Sequence, residues 1–127
     1  MKIVLVSEMG FTRTSAHVNL RSAGHEITEA EPTCLLDILV IMRDILPHLI
    51  VLDHDLPRCN CETTVRIIRE DPVLGGTPIL VFTDRREAAA NLRLRRWPLM
   101  ATLEKPFQVE ALLQAVSAPL HTFTAGS

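Results

Sequence analysis

Apolar residues fall along this chain in short continuous runs that alternate with stretches of helical spacing. Residues 2–6, 49–53 and 78–82 are near-continuous apolar runs, the pattern of strands covered on both faces. Residues 25–30 alternate Ile27 with glutamates, which suits a strand at or near a sheet edge. Residues 100–103 make a fifth run. Between these runs the spacing predicts five helices, at 11–23, 33–45, 61–70, 84–96 and 108–117. Gly24 stops the first in the position after the cap. Pro47 precludes continuation of the second, and Pro119 ends the last. Asn60 is placed to cap the third. Asp71-Pro72 and Gly75-Gly76 punctuate the connection that follows it. Strictly alternating strands and helices predict an α/β fold, with a parallel sheet and helices on both faces. Right-handed crossovers restrict the topology, and for five strands the order 2-1-3-4-5 is the common doubly wound solution.

Three of these strands end in polar residues of complementary chemistry. Leu49-Ile50-Val51-Leu52 runs into Asp53, Ile79-Leu80-Val81-Phe82 into Thr83, and Ala101-Thr102-Leu103-Glu104 into Lys105-Pro106-Phe107. The carboxyl edge of an open parallel sheet is where such folds place their sites. A carboxylate, a hydroxyl and an ammonium meeting there suit acceptance of a phosphoryl group on Asp53. An aspartate can act as nucleophile and form an acyl phosphate. The transferring group spreads charge over its equatorial oxygens, so positioning and neutralisation are what a protein must supply. The bland alternative for Asp53 is a strand-end cap that bonds loop amides.

Composition adds bounds. The chain has 127 residues, 47% of them hydrophobic, enough for one domain with a real core. No apolar run approaches the ~20 residues of a membrane helix, and the start lacks the features of a signal peptide. Three cysteines, Cys34, Cys59 and Cys61, are an odd number, so reduced thiols and a cytoplasmic location are expected. The net charge of −2 gives no general attraction to nucleic acid. Of 13 basic residues only Lys2 and Lys105 are lysine, which sets Lys105 apart in an arginine-rich chain.

The stretches LIVLDHDLP (49–57), PILVFTD (78–84) and EKPF (104–107), with MKIVLVSE (1–8) and AGHEITEAE (23–31), resemble the receiver domain of bacterial two-component response regulators. The resemblance spans residues 1–118 and leaves 119–127 as a C-terminal tail. It implies a flavodoxin-like, CheY-like fold with five helices. It also implies that Asp53 is the phosphoacceptor, Thr83 the switch hydroxyl and Lys105 the phosphate-contacting cation, with a cis bond before Pro106. Magnesium is the implied cofactor, held by Glu8, Asp53 and the backbone carbonyl of Asp55. The implied partners are a histidine kinase or phosphotransfer protein and a downstream protein. That downstream partner would meet the face made by the 84–96 helix, the fifth strand and the last helix. A stand-alone phosphorelay receiver of this kind is not an enzyme beyond taking up and losing its own phosphoryl group. It touches neither nucleic acid nor membrane.

The chain departs from the family in several places. Receivers carry two adjacent acids after the first strand, where this chain has Ser7 and Glu8. Ser7 brings no charge, so magnesium binding is expected to be weak or lost. Glu8 also suits the start of a helix, where the dipole favours an acid. Asp84 follows the switch hydroxyl, where a small residue is usual. It could pair with Lys105, repel a phosphoryl group, or cap the next helix with Glu87. Thr102 stands where an aromatic is common, and Arg58 and Cys61 replace glycines.

Other readings remain. Without phosphorylation, the domain would act as a pseudo-receiver, a module for protein interaction or dimerisation. Asp53-His54-Asp55 also resembles the first motif of haloacid-dehalogenase-type phosphatases, but two strands precede it. Cys59, Cys61 and His54 fall short of the four ligands of structural zinc. The 33–45 helix carries more apolar residues than one core-facing stripe uses, which makes it a candidate partner or homodimer surface. Arg85, Arg86, Arg93, Arg95 and Arg96 form either a solvated basic face or a surface for an acidic partner.

Overall fold

The computed structural model describes residues 1–8, 10–31, 34–54, 60–84, 93–94 and 96–117. Five strands, β1 (Lys2–Val6), β2 (Glu26–Ala30), β3 (Leu49–Asp53), β4 (Ile79–Thr83) and β5 (Met100–Glu104), form one sheet of order β2-β1-β3-β4-β5. Every neighbouring pair is parallel. Both the parallel sheet and the order expected from the sequence are therefore present. The alternating strand β2 lies at an edge, and the continuous apolar strands β1, β3 and β4 fill the centre.

Side-chain alternation divides the core in two. Ile3, Leu5, Leu49, Val51, Leu80 and Phe82 face one side. There they pack with Ala16 and Leu20 of α1 (Phe11–Ser22) and Leu112 and Val116 of α4 (Val109–Ser117). Val4, Val6, Ile50, Leu52, Ile79 and Val81 face the other. Their partners are Ile38, Leu39 and Met42 of α2 (Leu35–Ile45) and Val65 and Ile68 of α3 (Cys61–Glu70). Each fully buried aliphatic side chain contributes about 1.5–3 kcal/mol relative to exposure. These two layers thus fix the strand register that sets the tips side by side.

Boundaries differ from expectation by one or two residues. β4 takes in Thr83, and β5 takes in Glu104, because the two residues pair in register and the amide of Lys105 donates to the Thr83 carbonyl at 2.7 Å. α2 starts at Leu35, after an extended Cys34. Asn60 caps α3 as its sequence position predicts, its Oδ1 accepting from the Thr63 amide at 3.2 Å. The helix expected at 84–96 lies outside the described residues except for 84, 93–94 and 96, of which 93–94 are helical. The 119–127 tail, and with it the Pro119 stop, also lies outside them.

Two arginines tie the edge opposite the strand tips. Arg69 of α3 donates to the carbonyls of Pro98 at 2.8 Å, Thr77 at 2.7 Å and Leu99 at 2.9 Å, which joins the connections before β4 and β5. Arg43 of α2 donates to Asp71 just after α3, through Nε at 2.8 Å and also through its Nη2. That hydrogen bond holds the Asp71 carboxyl below the usual carboxylate range, aided by the amides of Val73 and Leu74. Gly75 sits where a Cβ would lie 2.8 Å from the Arg69 carbonyl oxygen, so only glycine fits. These arginine bonds join the base of the sheet and leave the opposite edge to carry chemistry.

Candidate functional site

Asp53 ends β3 and is buried, 6% exposed, although it carries a carboxylate. A buried charge needs partners. Lys105, in the segment after β5, supplies one: its Nζ lies 2.7 Å from Asp53 Oδ1. Ser7, just past β1, supplies another: its hydroxyl donates to Asp53 Oδ2 at 3.2 Å, with the Glu8 carbonyl a second acceptor for the same proton at 3.3 Å. Both carboxylate oxygens are therefore bonded, by groups from the two strands that flank β3 and β4 in the sheet order. The Lys105–Pro106 peptide bond is cis, as the resemblance implied.

Thr83 stands at the tip of β4, between Asp53 and Lys105 in strand order, and is 1% exposed. Its side chain follows Ile79 and Val81 to the sheet face opposite Phe82, and among the described residues its hydroxyl makes no hydrogen bond. Phe82 itself is paired in register with Asp53, and its carbonyl accepts from the His54 amide at 2.8 Å. Strand pairing therefore brings Asp53, Thr83 and Lys105 to one edge. Spacing between strands is ~4.8 Å, so hydroxyl and carboxylate stand on adjacent strand ends.

The implied metal ligands are not all gathered. Glu8 is exposed. Asp55 lies outside the described residues, together with Arg58 and Cys59. Among the described residues no group of three or more His, Cys, Asp or Glu side chains could hold a metal ion. Asp84 is described at the end of β4, while Glu87 is not, so the expected capping pair lies outside what the structure describes. Thr102 is half-buried within β5.

Arg13 belongs to the site and carries no sequence motif. It is 7% exposed, and its Nη1 donates to the Ser7 carbonyl at 3.3 Å and to Glu31 Oε1 at 2.7 Å. Its Nε lies 3.4 Å from Glu29 Oε2, and the other Glu29 oxygen is 2.6 Å from His17 Nδ1. The available signal was spacing: Arg13, Ala16 and Leu20 form the buried stripe of α1, so an arginine occupies a core-facing position. Cys61 opens α3 and is buried. Burial first, then the charge of Asp53 and Glu62, push its thiol up to about 12. That places the sulfur within electrostatic reach of Asp53 and makes it a packing group rather than a nucleophile.

Lesser candidates separate from this edge. The exposed apolar residues on α2 are Leu36 and Val40, 72% and 63% exposed, one turn apart, while Ile38, Leu39 and Met42 face the core. Arg93 pairs with Glu62 of α3 at 2.8 Å. Arg85, Arg86 and Arg95 lie outside the described residues. The phosphatase reading meets a structural objection, because Asp53 ends the third strand rather than the first.

No family model matches the chain. PilG of Pseudomonas aeruginosa is 24% identical over 124 residues, which cover 98% of this chain and 90% of that protein. The transcriptional regulatory protein PhoP of Escherichia coli is 25% identical over 118 residues, and the chain spans about half the length of that relative. Among solved structures, a response regulator from Chloroflexus aurantiacus superposes with a TM-score of 0.84 at 23% identity, covering 94% of this chain and 97% of that one. The fold shared in these comparisons is the CheY-like receiver fold, with its doubly wound five-stranded sheet.

Proposed function

We propose that this CheY-like receiver domain accepts a phosphoryl group on Asp53 and, in that state, changes its affinity for a protein partner. The observation that carries the reading is the contact between Lys105 Nζ and Asp53 Oδ1 at 2.7 Å, at the carboxyl edge of the sheet. Among the described residues the carboxylate meets an ammonium and a hydroxyl, the groups that neutralise and bond phosphoryl oxygens.

In the proposed step an oxygen of Asp53 attacks the phosphorus of a phosphohistidine on a histidine kinase or phosphotransfer protein. The new P–O bond forms as the P–N bond breaks, and the departing imidazole carries a proton from water. Lys105 offsets the negative charge left on the phosphoryl oxygens. The Thr83 hydroxyl donates to one of these oxygens and draws the tip of β4 toward Asp53. That movement changes the surface that the β4 tip, β5 and α4 offer to the downstream protein. The domain acts by binding and is not a turnover enzyme. Its own acyl phosphate is lost to water.

A second reading is favoured by one contact. The Ser7 hydroxyl on Asp53 Oδ2 leaves the carboxylate already satisfied, as expected of a module that binds partners without phosphorylation. Incubation with phosphoramidate, a small phosphodonor, followed by intact mass separates the two. One phosphoryl adduct in the wild type and none in Asp53→Asn supports acceptance on Asp53. No adduct in either, under conditions that modify an ordinary receiver, leaves the interaction module.

A further inference from the structure

The polar groups around Asp53 answer a question that the fold leaves open: what neutralises an incoming phosphoryl group. Magnesium prefers carboxylate oxygens in near-ideal octahedral geometry. Here the position beside Asp53 Oδ2 is taken by a hydroxyl that donates a proton, and Oδ1 is taken by an ammonium. Glu8, the remaining acid of the first strand's tip, is exposed. Behind Ser7 stands a second buried cation. Arg13 bonds the Ser7 carbonyl and is anchored from outside by Glu29 of β2 and Glu31 just past it, whose side chains are 32% and 55% exposed. The described surroundings of Asp53 thus hold the Lys105 ammonium and the Ser7 hydroxyl on the carboxylate itself, with Arg13, balanced by Glu29 and Glu31, one residue behind. With a hydroxyl where an acid would stand and Lys105 already balancing Asp53, the pocket offers a divalent cation little to bind.

We infer that Asp53 takes its phosphoryl group without a divalent cation, with the Ser7 hydroxyl and the Lys105 ammonium bonding the oxygens that a metal would otherwise hold, and that Ser7 excludes the metal. The reaction half of this inference rests on the phosphoacceptor reading. The exclusion of the cation does not. In the reaction Asp53 displaces ammonia from phosphoramidate: the P–O bond forms, the P–N bond breaks, and ammonia leaves with a proton from water.

The test uses the whole chain and its Ser7→Asp, Ser7→Ala and Ser7→Thr variants. Thermal unfolding is followed with millimolar magnesium and with chelator. The inference predicts one midpoint for the wild type in both conditions, and a midpoint for Ser7→Asp that rises with magnesium. A wild-type midpoint that rises with magnesium overturns it. Adduct formation from phosphoramidate is then timed in the same two conditions. The wild-type rates should agree within about twofold, whereas a metal-dependent site would lose tenfold or more in chelator. Ser7→Ala should slow the reaction and Ser7→Thr, which keeps the hydroxyl, should restore it. A wild-type rate that collapses in chelator overturns the inference while upholding the phosphoacceptor reading. Absence of adduct in every variant overturns the reaction half, and the unfolding midpoints still decide whether the cation is excluded.

Discussion

Lys105 and Asp53 lie 52 positions apart in the chain, yet the ammonium of one and the carboxylate of the other are 2.7 Å apart. Only strand order brings them together: β3, β4 and β5 are consecutive in the sheet, and Lys105 follows β5 directly. The pair is mostly shielded, with side chains 18% and 8% exposed. Replacing Lys105 by methionine keeps the stem and removes the charge. Adduct formation should fall by about a hundredfold, the scale of losing one positioned electrostatic group. Circular dichroism should show the fold retained. An unchanged rate would remove Lys105 from the proposed site.

Thr83 is assigned to the response and not to the transfer itself. Thr83→Ala should therefore form the adduct at close to the wild-type rate. The readout is Trp97, the single tryptophan of the chain, half-buried next to the described helical residues 93–94. Its fluorescence should change on phosphorylation of the wild type and stay constant in Thr83→Ala. A full fluorescence change in the variant would contradict the switch role.

The Cys61 thiol gives a pH-dependent check on burial beside Asp53. Its pKa is raised from an ordinary value of 9.0 to about 12, so folding favours the neutral form. A group raised on folding stabilises fully below its unfolded value and loses that contribution as pH rises through its folded value. Cys61 should therefore add to stability up to about pH 9 and lose the contribution between there and about pH 12. In a Cys59→Ser background at pH 8, exposed Cys34 should react at once with a thiol reagent and Cys61 only on unfolding. Equal reactivity of both would place Cys61 at the surface.

Much of the fold was legible because the pattern was strong. Continuous apolar runs such as Ile3–Val6 and Leu49–Leu52 are short enough to read as central strands of a covered sheet, and the glutamates around Ile27 marked the edge. The tips carrying Asp53, Thr83 and Lys105 followed from where those runs stop. The apolar excess of α2 could not be apportioned in advance, since helical spacing does not say how wide a stripe the sheet will cover. The structure covers Ile38, Leu39 and Met42 and leaves Leu36 and Val40 outside. The burial of Arg13 was not legible for a related reason: it depends on Glu29 of β2 and Glu31 just past it, which meet this helix only in three dimensions. The Ser7 contact was visible as a missing acid and not as a donor to Asp53, because rotamer and distance are properties of the folded edge.

Backbone strain offers a test of the frame that holds the site. Leu46 ends α2 at φ 54 and ψ 65, left-handed geometry that costs a side-chain-bearing residue, and it is 58% exposed. Leu46→Gly should raise stability by about 1 kcal/mol, since glycine adopts this region without the Cβ clash. Denaturant unfolding would register this as a higher midpoint at constant slope. A lower midpoint would mean that the Leu46 side chain packs more than its exposure indicates.

The most direct measurement locates the phosphoryl group itself. After treatment with phosphoramidate, borohydride reduces an aspartyl phosphate to homoserine, and peptide mass mapping reads which residue has changed. The account predicts homoserine at position 53 alone, dependent on the phosphodonor. Homoserine at another position, or an unreduced Asp53 in a chain that carries the adduct, would contradict it.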